Sequence, residues 1–233
     1  MTNEEFIKEL EKLNVTLTEH QLKQLESYYK LLIEWNQKIN LTRITEKKDV
    51  YLKHFYDSIT LIKAIDLKQE LKVCDLGTGA GFPGIVLKIV FPRLNITLVD
   101  ALNKRIEFLK LVINELKLEN ITAIHERGEE FIKDNRNTFD LITCRAVAKL
   151  NIISEICIPG VKINGYFIPM KAQIEEEIKD TSFLKKLNSE LEDIVSFTLP
   201  YEESIRNLVV IKKISDTNPI YPRKYDKITK NPL

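Results

Sequence analysis

The residues best spaced to do chemistry lie between positions 73 and 84, Val73-Cys-Asp-Leu-Gly-Thr-Gly-Ala-Gly-Phe-Pro-Gly84. A short apolar strand runs into a turn with glycines at 77, 79 and 81, and Pro83 suits the first position of a following helix. Such glycines let a ligand approach the backbone with no Cβ in the way, and the helix N-terminus behind them offers free N–H groups. A second apolar run, Asn95-Ile-Thr-Leu-Val-Asp100, ends in an acid about twenty residues on, the spacing at which α/β folds hold a ribose hydroxyl. These parts together predict a nucleoside pocket.

The dinucleotide pattern G-x-G-x-x-G is met formally at Gly79, Gly81 and Gly84, but the register is wrong for it. The turn starts at Gly77, so the glycines over the ligand are 77, 79 and 81, while Gly84 already belongs to the helix. Asp75 at the strand end is unfavourable beside a pyrophosphate and suits the ammonium of an amino-acid ligand. The arrangement looks like an S-adenosylmethionine pocket. No Tyr-x-x-x-Lys is present to move a hydride, which weakens a dehydrogenase reading.

In an open parallel sheet, ligands lie beyond the carboxyl ends of the strands. The further candidates at that edge are Asp100, with Asn103, Lys104 and Arg105 beyond it, and Gly128 and Glu129 in His125-Glu-Arg-Gly-Glu129. The last segment offers an adenine a backbone N–H and a carboxylate. Lys104 and Arg105 read equally as a solvated helix start, and Glu129 as an acid complementing its helix dipole. Arg145, in Thr143-Cys-Arg-Ala-Val147, follows an apolar strand and should point into the cleft. No [DNS]-P-P-[YFW] loop for exocyclic amines stands there, and no Pro-Cys pair for ring-carbon methylation exists. An acceptor with a ready lone pair remains, and guanine N7 has one. Attack on a sulfonium methyl by that atom removes no proton, so alignment and electrostatics suffice without a general base.

The elements that must position these residues fall into two sections. Up to about Leu67 the pattern is helical, with Thr2/Glu5 and Thr18/Gln21 spaced as capping boxes. Leu22, Leu25, Tyr29, Leu32, Ile33 and Asn36 form a helical stripe, and Tyr51, Phe55, Ile59 and Ile62 mark another. From Leu71 onward strands (71–76, 95–100, 121–125, 139–144, 163–169) alternate with helices (82–91, 103–118, 129–134, 149–159, 173–188). Two last strands, Ile194–Leu199 and Asn207–Ile214, follow without a helix between them. The expectation is an α/β, Rossmann-like methyltransferase fold with a mostly parallel seven-stranded sheet and an antiparallel last strand, preceded by N-terminal helices. Residues 1–67 would form the helical region, 68–214 the core and 215–233 a basic, proline-containing tail.

Bulk charge names no partner, with 35 basic against 34 acidic residues. From Lys212 to Leu233, however, six Lys or Arg stand against two Asp, a solvated strip or a nucleic-acid contact. Cys74, Cys144 and Cys157 lack C-x-x-C spacing and the three histidines are scattered, so no metal is expected. The N-terminus lacks a signal-like apolar core, and Lys88 interrupts the best apolar run. A cytoplasmic, reduced, monomeric protein with no membrane contact is the expectation.

The glycine turn, Leu102-Asn-Lys-Arg105, Leu116-Lys-Leu-Glu-Asn120, Cys144-Arg-Ala-Val147 and Met170-Lys-Ala-Gln173 together resemble the glucose-inhibited division protein B family, bacterial 16S ribosomal RNA guanine-N7 methyltransferases. The likeness covers nearly the whole chain, including Asn36 to Leu41, Lys53-His-Phe-Tyr-Asp-Ser58, Arg206 to Ile211 and Tyr221-Pro-Arg-Lys224. It implies S-adenosylmethionine contacts at Gly77, Phe82, Gly128, Glu129 and Arg145, with Asp100 near the ribose. It also implies that Lys171, Arg206, Arg105 and His54 face the RNA or the reacting guanine, and that the target is a guanine of the small ribosomal subunit. Phe82 stands where relatives often carry leucine, and Gly128 where they often carry alanine or valine. Bland readings stay open: Lys171 as a surface lysine, Arg206 paired with Glu202 or Glu203, and His54 as a structural histidine. Two functional alternatives also remain, a nucleotide-binding regulatory module of cell division without turnover and a methyltransferase on a non-RNA acceptor.

Overall fold

Strand β1 (Lys72–Leu76) is buried along its length after Lys72, which is why it reads as an unbroken apolar run rather than an alternation. The computed structural model describes residues 1–233 and places this strand at the centre of a seven-stranded sheet of order β3-β2-β1-β4-β5-β7-β6. The other strands are β2 (Asn95–Asp100), β3 (Ile121–His125), β4 (Phe139–Arg145), β5 (Val161–Lys171), β6 (Ser189–Thr198) and β7 (Ile205–Lys213). The first five run parallel, and β7 alone runs against its neighbours β5 and β6. The chain order reverses between β1 and β4, so a cleft opens there beyond the strand ends.

Helices α1 (Asn3–Lys12), α2 (Glu19–Ile39), α3 (Lys47–Val50) and α4 (Asp57–Ile59) precede the sheet, with a π-helical turn over Tyr51–Tyr56 between the last two. Both capping boxes form, at Thr2/Glu5 and Thr18/Gln21. The buried stripe of α2 is Leu25, Tyr28 and Leu32, so Tyr28 rather than Tyr29 faces inward. Then come α5 (Gly84–Val90), α6 (Asn103–Glu115), α7 (Gly128–Asp134), α8 (Leu150–Cys157), α9 (Phe183–Lys186) and α10 (Tyr225–Lys230). Phe6, Leu25, Tyr28, Phe55 and Phe108 pack the N-terminal helices and α6 on one face of the sheet. Phe131, Leu150, Ile153 and Ile228 pack α7, α8 and α10 on the other. Cys74, Cys144 and Cys157 are buried there as free thiols. No helix is long and apolar enough to cross a membrane.

Most boundaries shift by a few residues from the sequence reading, and three of the differences have a clear cause. Pro83 caps α5 from outside, and the helix itself opens on Gly84. The helix expected over 173–188 shrinks to the four residues of α9. Asp180 accepts from the Ser182 N–H (2.8 Å), a local turn that competes with helix, and Glu177 is drawn away to Lys171 (2.5 Å). Strand β6 starts at Ser189, earlier than Ile194, because its whole length pairs with β7 up to Ser189–Lys213.

Candidate active site

The glycine turn is held from two sides by carboxylates. Asp100, at the end of β2 and nearly buried, accepts from the Gly79 N–H through Oδ2 (2.9 Å) and from the Leu102 N–H through Oδ1 (2.9 Å). Arg105 adds a 3.1 Å bond to Oδ2. A carboxylate has about four acceptor positions; Arg105 Nη1 reaches Oδ1 only at 3.5 Å, so the three shorter bonds leave a position that a ribose hydroxyl can take. Asp75 lies beneath the turn, its Oδ2 accepting from Thr78 Oγ1 (2.6 Å) and the Gly84 N–H (2.8 Å). Its other oxygen, Oδ1, is buried without a partner. Burial pushes the Asp75 carboxyl up to about 6 despite those two bonds.

Gly79 and Gly81 divide the turn into an open and a packed side. A Cβ built on Gly79 (φ +63°) would meet nothing within 4 Å, whereas one on Gly81 (φ +100°) would lie 2.5 Å from Ile85 Cγ1 and 2.7 Å from Tyr28 Oη. Tyr28 secures the packed side by donating to the Ala80 carbonyl (2.5 Å). The open side fits S-adenosylmethionine: backbone free of Cβ over Gly79, an acceptor position on Asp100, and beneath the turn a buried Asp75 Oδ1 that no protein group bonds and that suits an ammonium. Gly128 and Glu129 open α7 nearby in the fold, at the end of β3, and Glu129 Oε1 accepts from Arg127 Nε (2.7 Å).

Arg145 ends β4 and joins this turn to the N-terminal helices. Its Nη1 donates to Asp57 Oδ2 (3.0 Å) and to the Lys53 carbonyl (3.0 Å), and its Nη2 to His54 Nδ1 (3.1 Å). The guanidinium also lies 5.2 Å from the Phe82 ring centre, and Phe82 stacks on His54 at 4.4 Å. His54 Nδ1 lies between the Arg145 guanidinium, which only donates, and the Lys53 carbonyl (3.1 Å), which only accepts, while Nε2 meets Thr42 Oγ1 (2.9 Å). Burial, reinforced by Arg145, lowers the His54 pKa to about 3, so this imidazole is neutral.

Asp57 is the residue that the sequence reading missed. It is 2% exposed and uses both oxygens, Oδ2 on Arg145 and Oδ1 on Arg206 Nε (3.1 Å). Arg206 therefore pairs across the molecule rather than with Glu202 or Glu203, and Glu202 instead binds Lys53 (2.7 Å). The π-helical turn widens the helix so that Lys53, His54 and Asp57 all meet Arg145; such turns are frequent at functional sites. These residues, with Ile44, Lys171 and Arg206, line a cavity of about 430 Å³, within the usual range of ligand pockets, roughly 300–1,000 Å³. Lys171 reaches the β4–α8 loop, donating to the Ala148 carbonyl (2.9 Å). In that loop Ala146 lines the cavity and Val147 packs on Gly77.

Of the residues singled out in the sequence, His54, Arg145, Lys171 and Arg206 thus converge on one cavity, and Gly77, Phe82 and Arg145 connect it to the turn. Arg105 goes elsewhere, onto Asp100. Half of the basic tail is tied down, with Lys213 buried, Lys212 paired with Glu192 and Arg223 on the buried Glu155, while Lys224, Lys227 and Lys230 are exposed as a solvated strip. Trp35 packs against Phe108 at 5.8 Å between ring centres.

Comparison with known proteins agrees with this geometry. The family GidB, rRNA small subunit methyltransferase G, matches residues 21–208. Ribosomal RNA small subunit methyltransferase G of Bacillus subtilis is 51% identical and that of Bacillus velezensis 50% identical, each alignment covering 100% of this chain and 99% of the relative. The protein of that name from Staphylococcus carnosus is 47% identical over 97% of both chains. Among solved structures, precorrin-6y C5,15-methyltransferase from Geobacter metallireducens superposes with a TM-score of 0.52 at 15% identity, covering 75% of this chain and 91% of that one. A SAM-dependent methyltransferase from Aquifex aeolicus gives 0.51 at 18%, covering 71% and 93%. These distant likenesses speak to the fold. The full-length identities, and a family match that spans residues 21–208, place this chain in the rRNA small subunit methyltransferase G family.

Proposed function

We propose that this chain transfers the methyl group of S-adenosylmethionine to N7 of a guanine in 16S ribosomal RNA of the small ribosomal subunit. The observation that carries the reading is the meeting, at Arg145, of the glycine turn with the cationic cavity. S-adenosylmethionine supplies an electrophilic methyl on its sulfonium; the N7 lone pair takes it as the carbon–sulfur bond breaks, and no proton leaves the purine. The lining suits a reaction of that kind. Asp57 has both oxygens held by arginines and neutral His54 has Nδ1 occupied, so the cavity offers no free base, and none is needed. Catalysis then rests on alignment.

Gly77, Gly79, Gly81, Phe82, Asp100, Gly128, Glu129 and Arg145 would hold the cofactor, Asp100 through its remaining acceptor position. Lys171, Arg206 and His54 would receive the RNA. The purine gains positive charge as the methyl arrives, so Arg206 and Lys171 serve phosphates rather than the base, and Asp57 offsets the charge of the two arginines beside it. A-form duplex hides N7 in a narrow groove, so the substrate guanine is taken from a loop or flipped out of its stack.

The test is methyl transfer from radiolabelled S-adenosylmethionine to small-subunit RNA, supplied naked, as precursor particles and as complete subunits, followed by digestion to nucleosides. Label in 7-methylguanosine that disappears with Arg145→Ala is the expected result. Binding of the cofactor with no label in any RNA form, or label in another nucleoside, would overturn the reading.

A further inference from the structure

The family match ends at residue 208, yet the chain beyond it is built against the cofactor edge of the molecule. Glu155 of α8 is fully buried and accepts from Arg223 three times, from its N–H (3.1 Å), Nε (2.7 Å) and Nη2 (2.6 Å). Arg136 donates to the Tyr221 and Thr217 carbonyls, and Ile228 of α10 is buried in the core beside α8. With both flanks fixed, Tyr225 lies under the Arg127 guanidinium, 5.0 Å from ring centre to Cζ. Arg127 in turn donates to Glu129 Oε1 (2.7 Å).

We propose that Arg127 and Tyr225 are positioning residues for Glu129, and that the C-terminal segment thereby sets the affinity for S-adenosylmethionine. The proposal rests on the reading of Glu129 as a cofactor contact. The Arg127 side chain is 57% exposed, and a solvated arginine samples many rotamers unless something confines it. The Tyr225 ring supplies the confinement, through a face the cation is attracted to and a backbone that Arg223 and Ile228 hold still. Arg127 then occupies one oxygen of Glu129 in a fixed geometry and leaves Oε2, which no protein group bonds, aimed for a ligand hydroxyl or amine. Preorganisation of this kind lowers the ordering cost at binding, so its loss is read in affinity rather than in the rate of a saturated enzyme.

The experiment measures cofactor binding by titration calorimetry, with KM and kcat for S-adenosylmethionine, on the full chain and its Tyr225→Ala, Tyr225→Phe, Arg127→Gln and Glu129→Gln variants. Tyr225→Ala and Arg127→Gln should each weaken binding by about three- to fivefold, the worth of an exposed cation–π contact, raising KM equally and leaving kcat unchanged. Tyr225→Phe, which keeps the ring, should bind like the parent. Tyr225→Ala combined with Arg127→Gln should bind no more weakly than Arg127→Gln alone, since the two residues act in series. If Glu129→Gln weakens binding while Tyr225→Ala and Arg127→Gln do not, the proposal is overturned and the cofactor reading stands. If Glu129→Gln itself has no effect, the placement of Glu129 fails and takes the proposal with it. Arg127→Gln changes a solvent-exposed side chain, so it keeps the test open should Tyr225→Ala fold poorly.

Discussion

Asp57→Ala tests the centre of the site. The carboxylate is nearly sealed from solvent and is the anionic partner of two guanidiniums, Arg145 at 3.0 Å and Arg206 at 3.1 Å. Breaking a buried ion pair by removing one partner costs about 3–5 kcal/mol, chiefly because the other charge is left unpaired. Here the arginine side chains retain 17% and 19% exposure, so water recovers part of that loss. We therefore expect a destabilisation of about 2–3 kcal/mol, or roughly 5–10 °C in melting temperature for a chain of this size. Asp57→Asn keeps one acceptor and should lie between parent and Ala. In an Arg206→Ala background the Asp57→Ala penalty should shrink, because one fewer cation is stranded. Methyl transfer at a temperature where all variants stay folded should fall at least about tenfold, since Arg145 loses its anionic partner and one of the three bonds that aim it. Calorimetric melting and single-turnover transfer decide the matter. Parental melting temperature together with parental turnover in Asp57→Ala would refute the argument that this carboxylate organises the pair.

The glycine turn predicts opposite phenotypes for neighbouring substitutions. Gly79→Ala places a methyl in the open cradle, so stability should fall by only about 1–2 kcal/mol, the left-handed backbone cost, while S-adenosylmethionine binding weakens at least about tenfold. Gly81→Ala drives a methyl into Ile85 and Tyr28, and should melt far lower whatever it binds; equal stability of the two variants would contradict the packing. His54 predicts a pH profile. With its folded pKa lowered to about 3, the unfolded chain takes up a proton below pH 6.5 that the native protein does not, so this contribution is complete above 6.5 and lost on acidification. The slope is at most about 1.4 kcal/mol per pH unit, or about 2 kcal/mol between pH 6.5 and 5. Asp75, raised to about 6, works in the opposite sense, its contribution being lost as pH rises through 6, so the test is the difference between parent and His54→Gln. Denaturant midpoints of the two should converge as pH falls from 7 to 5; parallel curves would show that His54 does not stay neutral.

What the sequence made legible was local. Capping boxes, the strand–glycine–helix register and the acid closing β2 are each decided within a few residues, and the physics that sets them acts over the same range. Alternation of strands and helices from Leu71 then implied the parallel sheet, and the sheet implied which strand ends form the cleft. The helix over 173–188 was misread for a related reason. Its composition favours helix, but a tertiary bond from Lys171 claims Glu177, and an Asp180–Ser182 turn competes locally. Asp57 was illegible because its role depends on partners 88 and 149 residues away. No periodicity encodes such a meeting, and an aspartate in a helical stretch reads as a surface residue until the π-turn and two arginines are seen around it. Arg127 shows the same limit from the other side. Beside Glu129 in sequence it looks like one more charge at a helix start, and only the returning C-terminal segment, with Tyr225 against its guanidinium, distinguishes it from the solvated Lys104. Residues that touch the ligand can be found from the turn that carries them, whereas those that hold them in place arrive from distant parts of the chain and become visible only once the chain has closed.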